Sequence, residues 1–245
     1  MQIDKNSFVG ELTRVFTLNG LAGLLSAKKS EALYLLTERM LEENEKYNLT
    51  AITDPKKIII SHYADSALLA SRLPKNAKIA DIGCGAGFPS LPIAILREDI
   101  SVTAIDSTQK RVNYVAESAS ILGLSNLRAV AMRAEDGGQS PEYREKFDVV
   151  TARAVAELRI LAELCLPYAR VGGSFMAMKG KNAKAEFDAA KRALAILGAR
   201  EVRCTELTLL GDDEPLARPL IIAEKREKCP RDYPRPYAKI SKKPL

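Results

Sequence analysis

From Lys78 onward, short apolar, β-branched runs alternate with segments of helical period. The runs fall near residues 78–83, 101–106, 127–132, 147–151, 173–179, 200–209 and 218–225, and the helical segments near 88–97, 109–122, 157–169 and 182–198. Strands that are apolar on both faces must be covered on both, and intervening helices let successive strands pair in parallel. The pattern predicts an α/β fold with a doubly wound, mainly parallel, seven-stranded Rossmann-like sheet. The last two runs, joined through GDDEP, predict an antiparallel hairpin at the end of the sheet.

Residues 1–73 read as a small N-terminal helical region packed on that core, 74–225 as the ligand-binding domain, and 226–245 as a basic tail. In SEALYLLTERMLEENEKY, apolar residues at 32, 33, 35, 36, 40 and 41 keep helical spacing, with Ser30 as the expected N-cap. Asp54 and Pro55 open a further helix after a connector.

The segment IADIGCGAGFPSLPIAI joins strand one to helix one, where a doubly wound sheet receives its ligand. Gly83, Gly85 and Gly87 form GxGxG, but a dinucleotide fingerprint needs its last glycine at position 88, which is Phe88. A phosphate-binding P-loop needs Gly-Lys-Ser/Thr, and no Lys or Arg lies between Lys78 and Arg97. Asp81 further opposes dense negative charge. S-adenosylmethionine fits this loop better, because it carries an adenosine, a sulfonium and an amino acid but no phosphate.

Strand two ends in Asp106, where an ionised carboxylate can accept from both ribose hydroxyls. That placement also suits NAD, so Asp106 alone does not decide. Strand three ends in VAMRAED, which brings Ala134 and Glu135 to the adenine. Three successive strand ends thus each offer a group that S-adenosylmethionine requires.

Charge is concentrated at the C-terminus. The last 21 residues hold eight Lys or Arg against two acids, Glu227 and Asp232, so the whole formal excess of +6 lies there. Four prolines and two tyrosines in the same stretch predict an extended surface segment. Basic residues there would displace counterions from a phosphate backbone while Tyr233 or Tyr237 stacks on a base; a merely solvated tail is the competing reading. The opening MQIDKNSFVGELT has no apolar stretch of signal-peptide type, and no apolar run reaches a membrane span's length, which reads as a cytoplasmic chain. Cys84, Cys165, Cys204 and Cys229 lie far apart without metal-ligand spacing, so no metal is expected.

The sequence resembles the small-subunit ribosomal RNA methyltransferases of the GidB/RsmG type. The resemblance rests on NLTAI (48–52), HYADSA (62–67), DIGCGAGFPSLPIAI (81–95), DSTQKRVNYV (106–115), RAED (133–136), VTARAVA (150–156), MKGK (178–181) and the tail YPRPYAKISKKPL. Cys84 and Ser90 stand where other small residues are common in that family, and its HxxDS segment reads HYADS here. The resemblance implies a class I S-adenosylmethionine-dependent methyltransferase whose cofactor touches Gly83, Phe88, Ala134, Glu135 and Arg153. It also implies methylation of guanine N7 at position 527, in the 530 loop of 16S rRNA beside the decoding site. The partner would be that rRNA in the small ribosomal subunit or an assembly intermediate, with neither membrane nor DNA involved.

The residues permit this chemistry. Transfer from a sulfonium is an in-line displacement, so its main demand is orientation. Guanine N7 has a lone pair and no proton to lose, so no general base is required. The stretch DVVTARAVA lacks the (N/D/S)PP(Y/F) motif usual for exocyclic amines, and Cys165 lies too deep in a helical pattern to be a nucleophile. Arg153 is unsuited to bidentate reading of guanine, which would occupy N7; it is expected to hold the cofactor carboxylate or an RNA phosphate. Arg153 and Lys179 are the positioning candidates, while Lys179, Lys181, Arg231, Arg235, Lys239, Lys242 and Lys243 are the expected RNA contacts. His62, the single histidine, reads as structural. A small-molecule methyltransferase and a catalytically silent RNA-binding protein stay open as alternatives.

Overall fold

A computed structural model describes residues 3–153, 156–180, 182–212 and 214–245. Helix α1 (Lys5–Leu18) is capped by Asp4, whose carboxylate accepts from the Ser7 amide. A short turn, Ala22–Leu24, leads to α2 (Ala27–Tyr47). Its N-cap is Ser26, accepting from the Lys29 amide, and not Ser30, which is buried within the helix. The first turn, Ala-Lys-Lys, carries no apolar stripe, so periodicity alone starts the helix one turn late. Asp54 caps α3 (Pro55–Ile58), which continues through a wider turn, Ile59–Ala64, into α4 (Asp65–Ala70).

The sheet comprises β1 (Lys78–Ile82), β2 (Ser101–Asp106), β3 (Leu127–Ala131), β4 (Phe147–Arg153), β5 (Ala169–Met178), β6 (Ala199–Thr205) and β9 (Leu220–Lys225). Its order is β3-β2-β1-β4-β5-β9-β6. Strands β1 to β5 pair in parallel, whereas β9 runs antiparallel between β5 and β6. The expected hairpin is therefore present with its second arm inserted inward. The expected run to residue 209 breaks at Thr205, because β7 (Thr208–Leu209) leaves the sheet to pair with β8 (Leu216–Ala217). Helices α5 (Ser90–Leu96), α6 (Gln109–Ile121), α7 (Ala134–Gln139), α8 (Leu158–Cys165), α9 (Ala183–Ile196) and α10 (Tyr237–Lys242) complete the chain.

Alternation along the strands divides the core in two. Ile79, Val149, Met176 and Ile222 join one cluster with Phe8, Leu12, Phe16, Leu33 and Met40 of the N-terminal helices. Ala80, Val150, Phe175 and Ile221 face the other cluster, with Leu161 of α8, Leu194 of α9 and Ile240 of α10. Burying each large apolar side chain contributes roughly 1.5–3 kcal/mol, so residues 3–73 are held to the sheet by continuous core packing. Cys84, Cys165 and Cys229 are buried and Cys204 half-buried; all four are free thiols. Among the described residues, no helix is long and apolar enough to cross a membrane.

The tail is docked rather than extended over the surface. Lys225 is fully buried, and its ammonium donates to Glu145 Oε1 (2.9 Å) and to the carbonyls of Leu166 (2.9 Å) and Ala169 (2.7 Å). Glu145 Oε1 also accepts from the Cys229 amide, which fixes where the tail departs. Replacing Lys225 with Met removes these donors while keeping most of the volume. Urea unfolding is expected to show a loss of about 2–4 kcal/mol, and a loss below about 0.5 kcal/mol would contradict this role.

Candidate functional site

Strand β1 delivers the chain into Gly83, Gly85 and Gly87, whose φ angles are 74°, 56° and 82°. These left-handed values favour glycine. The amides of Gly83 and Cys84 both donate to Ile105 O, at 2.8 and 3.1 Å. Gly85 N donates to Asp106 Oδ2 at 3.0 Å. Gly87 plays a different part: a Cβ there would lie 2.5 Å from Leu91 Cδ1, so its lack of a side chain lets α5 close on the loop.

Asp106 is buried at the tip of β2, and its Oδ1 accepts from the Thr108 amide at 2.8 Å. Each oxygen keeps acceptor capacity beyond these bonds. Asp81 lies under the loop, where Ser90 Oγ donates to its Oδ2 at 2.5 Å. Burial pushes the Asp81 carboxyl up to about 6, and its Oδ1 has no partner among the described residues.

At the third strand end, Ala134 and Glu135 form the first turn of α7. Tyr168 Oη donates to Ala134 O at 2.7 Å, so this carbonyl already has a donor. The first helical amides have no intrahelical acceptor and remain available to a ligand.

These elements enclose a cavity of about 580 Å³, within the usual range for small-molecule sites. Gly83, Gly85, Phe88, Asp106, Ala134, Glu135 and Arg153 line it as expected; Gly87 is not among its lining residues. The N-terminal region adds Leu49, Thr50 and His62, and further walls come from Arg111, Met132, Leu164 and Tyr237. None of these seven was singled out from sequence as a cofactor contact. The segments NLTAI and HYADSA carried the signal for the first three, but no local pattern places a remote helix against a glycine loop.

Phe88 organises one end of the cavity. Its ring stacks on His62 with centroids 4.3 Å apart, and the Arg153 guanidinium carbon lies 5.5 Å from its centroid. Arg153 Nη1 donates to Ser61 O (3.0 Å) and Asp65 Oδ2 (3.1 Å). Arg218 Nε lies 3.0 Å from Asp65 Oδ1, so two guanidiniums share one buried carboxylate. The surplus cation suits an anionic ligand group. His62 Nε2 is 3.2 Å from Thr50 Oγ1, and Nδ1 is 3.2 Å from Ser61 O and 3.4 Å from Arg153 Nη2. Burial, aided by the Arg153 charge, lowers His62 from 6.5 to about 4. Burial likewise pushes the thiols of Cys84, in the cavity wall, and Cys165 far up, leaving neither as a ready thiolate.

Two expected RNA contacts are turned into the protein. Lys179 Nζ pairs with Glu186 Oε2 at 2.6 Å and donates to Ala156 O at 2.9 Å, so it neither faces solvent nor lines the cavity. Arg235 is committed to buried Glu163, with contacts of 2.8 and 2.6 Å. In both cases a carboxylate on another element competes for the cation, Glu186 on α9 and Glu163 on α8. Arg231, Lys239, Lys242 and Lys243 are exposed. Lys181 lies outside the described residues.

The family model described as rRNA small subunit methyltransferase G matches residues 29–211. Ribosomal RNA small subunit methyltransferase G of Clostridium perfringens is 42% identical over 219 residues, 89% of this chain and 91% of its own length. The protein of that name from Lactobacillus delbrueckii subsp. bulgaricus is 44% identical over 225 residues, covering 90% and 93%. A SAM-dependent O-methyltransferase from Thermotoga maritima shares the fold at TM-score 0.52 and 15% identity, covering 77% of this chain and 72% of its own. P. horikoshii TYW2, solved with MeSAdo, does so at TM-score 0.53 and 18% identity, covering 66% and 62%.

The site's electrostatics can be read at its single histidine. With a folded-state value near 4 against 6.5, His62 binds fewer protons in the folded than in the unfolded chain between those pH values. Its contribution therefore lowers stability as pH falls through that window. NMR of the imidazole is expected to show a neutral ring at pH 5.5; a midpoint near 6.5 would contradict the burial and the Arg153 contact.

Proposed function

The chain belongs to the rRNA small subunit methyltransferase G family, and on that footing we propose that it methylates guanine N7 at position 527, in the 530 loop of 16S rRNA, using S-adenosylmethionine. It is an rRNA methyltransferase with the class I methyltransferase fold. The observation that carries the cofactor assignment is the loop of three left-handed glycines tied to the Asp106 carboxylate. A carboxylate at the mouth of a loop without Lys or Arg suits a ribose diol and an amino-acid group, and opposes a polyphosphate.

Asp106 would accept from the ribose hydroxyls while the glycine loop lies along the amino-acid portion. The first turn of α7 offers its free amides and the Glu135 carboxylate to the adenine edge. Arg153, with the cationic surplus it shares with Arg218 over Asp65, would hold the cofactor carboxylate or a phosphate of the RNA. Phe88 and neutral His62 would present uncharged rings beside that guanidinium.

Held by the glycine loop, Asp106 and Arg153, S-adenosylmethionine would supply an electrophilic methyl to the lone pair of guanine N7, with S-adenosylhomocysteine as the released product. No proton is transferred, which agrees with a cavity whose histidine is locked neutral and whose cysteine is not ionised. The chain's task is then to hold donor and acceptor in line.

Incubation with S-adenosylmethionine and small ribosomal subunits lacking the modification, followed by borohydride–aniline cleavage, is expected to give one new 7-methylguanine stop in the 530 loop. Methyl incorporation without that stop would overturn the proposed product. Arg153→Ala is expected to lower kcat/KM by about 10–100-fold, or ~1.4–2.7 kcal/mol, and unchanged kinetics would remove its assigned role.

A further inference from the structure

The C-terminal tail and the α7–α8 wall of the cavity are built on the same two helices. Ala134 and Glu135, in the first turn of α7, line the cavity, and the last turn of that helix carries the tail. Gln139 Nε2 donates to the carbonyls of Arg231 (3.1 Å) and Pro234 (3.0 Å). Pro234 lies so close to Gly138 that a Cβ there would meet its Cγ at 2.7 Å. Just beyond, Arg144 donates to the carbonyls of Cys229 (2.8 Å), Pro230 (3.0 Å) and Tyr233 (2.7 Å). On α8, Leu164 lines the cavity while its neighbour Glu163, fully buried, anchors Arg235. The tail then ends in α10, pinned by buried Ile240, with Tyr237 in its first turn.

This docking delivers Tyr237 to the rim of the cavity. The side chain lines it alongside Met132, Ala134, Glu135 and Leu164, yet keeps 42% of its surface exposed. The other tail aromatic, Tyr233, is half-buried, with the Arg235 guanidinium carbon 5.8 Å from its ring and its carbonyl held by Arg144. A large aromatic side chain left partly bare at the edge of an open cavity has an apolar face still to cover. A flat heteroaromatic ring seated against the first turn of α7 would cover it.

We propose that Tyr237 is a cofactor-binding residue that closes over the adenine of the bound cofactor, so that the basic tail is a structural wall of the cofactor site. The proposal rests on the reading of the cavity as an S-adenosylmethionine site. It divides the tail between two tasks: Tyr237 turns toward the cavity, whereas Lys239, Lys242 and Lys243 stay exposed for the RNA backbone.

Calorimetric titration of the full chain with S-adenosylhomocysteine and with 5′-methylthioadenosine separates the possibilities. Tyr237→Ala is expected to weaken both ligands by the same factor, about tenfold, because the lost contact lies in the half they share. Tyr237→Phe, which keeps the ring, is expected to bind both as the wild type does. Equal melting temperatures of the ligand-free variants would establish that Tyr237→Ala acts on the site rather than on folding. Unchanged ligand affinity in Tyr237→Ala would overturn the proposal, as would that result combined with weaker binding to ribosomal subunits, which would assign the ring to RNA. Failure of the wild type to bind either ligand would instead overturn the cofactor reading itself.

Discussion

The Asp106 carboxylate is the constraint on which the site depends. One oxygen takes the amide of Gly85 and the other that of Thr108, so a single side chain at the tip of β2 holds both the glycine loop and the start of α6. The neighbouring Ile105 carbonyl takes the amides of Gly83 and Cys84. A loop of three left-handed residues has no helix or ladder of its own to satisfy its amides, and buried amides must be paired. The end of β2 supplies them for Gly83, Cys84 and Gly85, the Gly87 amide donates to Cys84 O within the loop, and the Asp106 carboxylate keeps lone pairs for a ligand.

The opposite side of the cavity depends on charge balance. Asp65, carried on α4, is shared by the guanidiniums of Arg153 and Arg218, so the three groups together keep one net positive charge. Removing two charged groups from water is costly unless they are paired and hydrogen-bonded, which the Ser61 carbonyl and Asp65 achieve for Arg153. The N-terminal helices are therefore part of the site, since Asp65 and His62 reach it only because Phe8, Leu12 and Phe16 pack their region onto the sheet.

Much of this was legible in the sequence where the governing physics is local. The apolar runs of β1 and β4, buried on both faces, the glycine loop, the Asp54–Pro55 helix start and the acid at the tip of β2 all follow from short-range patterns. Local pattern put the N-cap of α2 at Ser30 instead of Ser26, because the first turn of that helix faces solvent. It could not place β9 between β5 and β6. The fates of Lys179 and Arg235 were hidden for another reason: their partners, Glu186 and Glu163, face them only after folding. Most tellingly, the proline-rich tail read as extended, whereas Gln139, Arg144 and buried Ile240 bind it to the body.

A cofactor with an adenosine and an amino acid but no phosphate is the proposed occupant of this glycine loop and carboxylate. Calorimetry of the unmodified chain with S-adenosylhomocysteine, NAD and ATP in parallel tests it directly. Saturable binding of S-adenosylhomocysteine at one site, with no heat from NAD or ATP, is the predicted result. Binding of either phosphate-bearing nucleotide in its place would contradict the account.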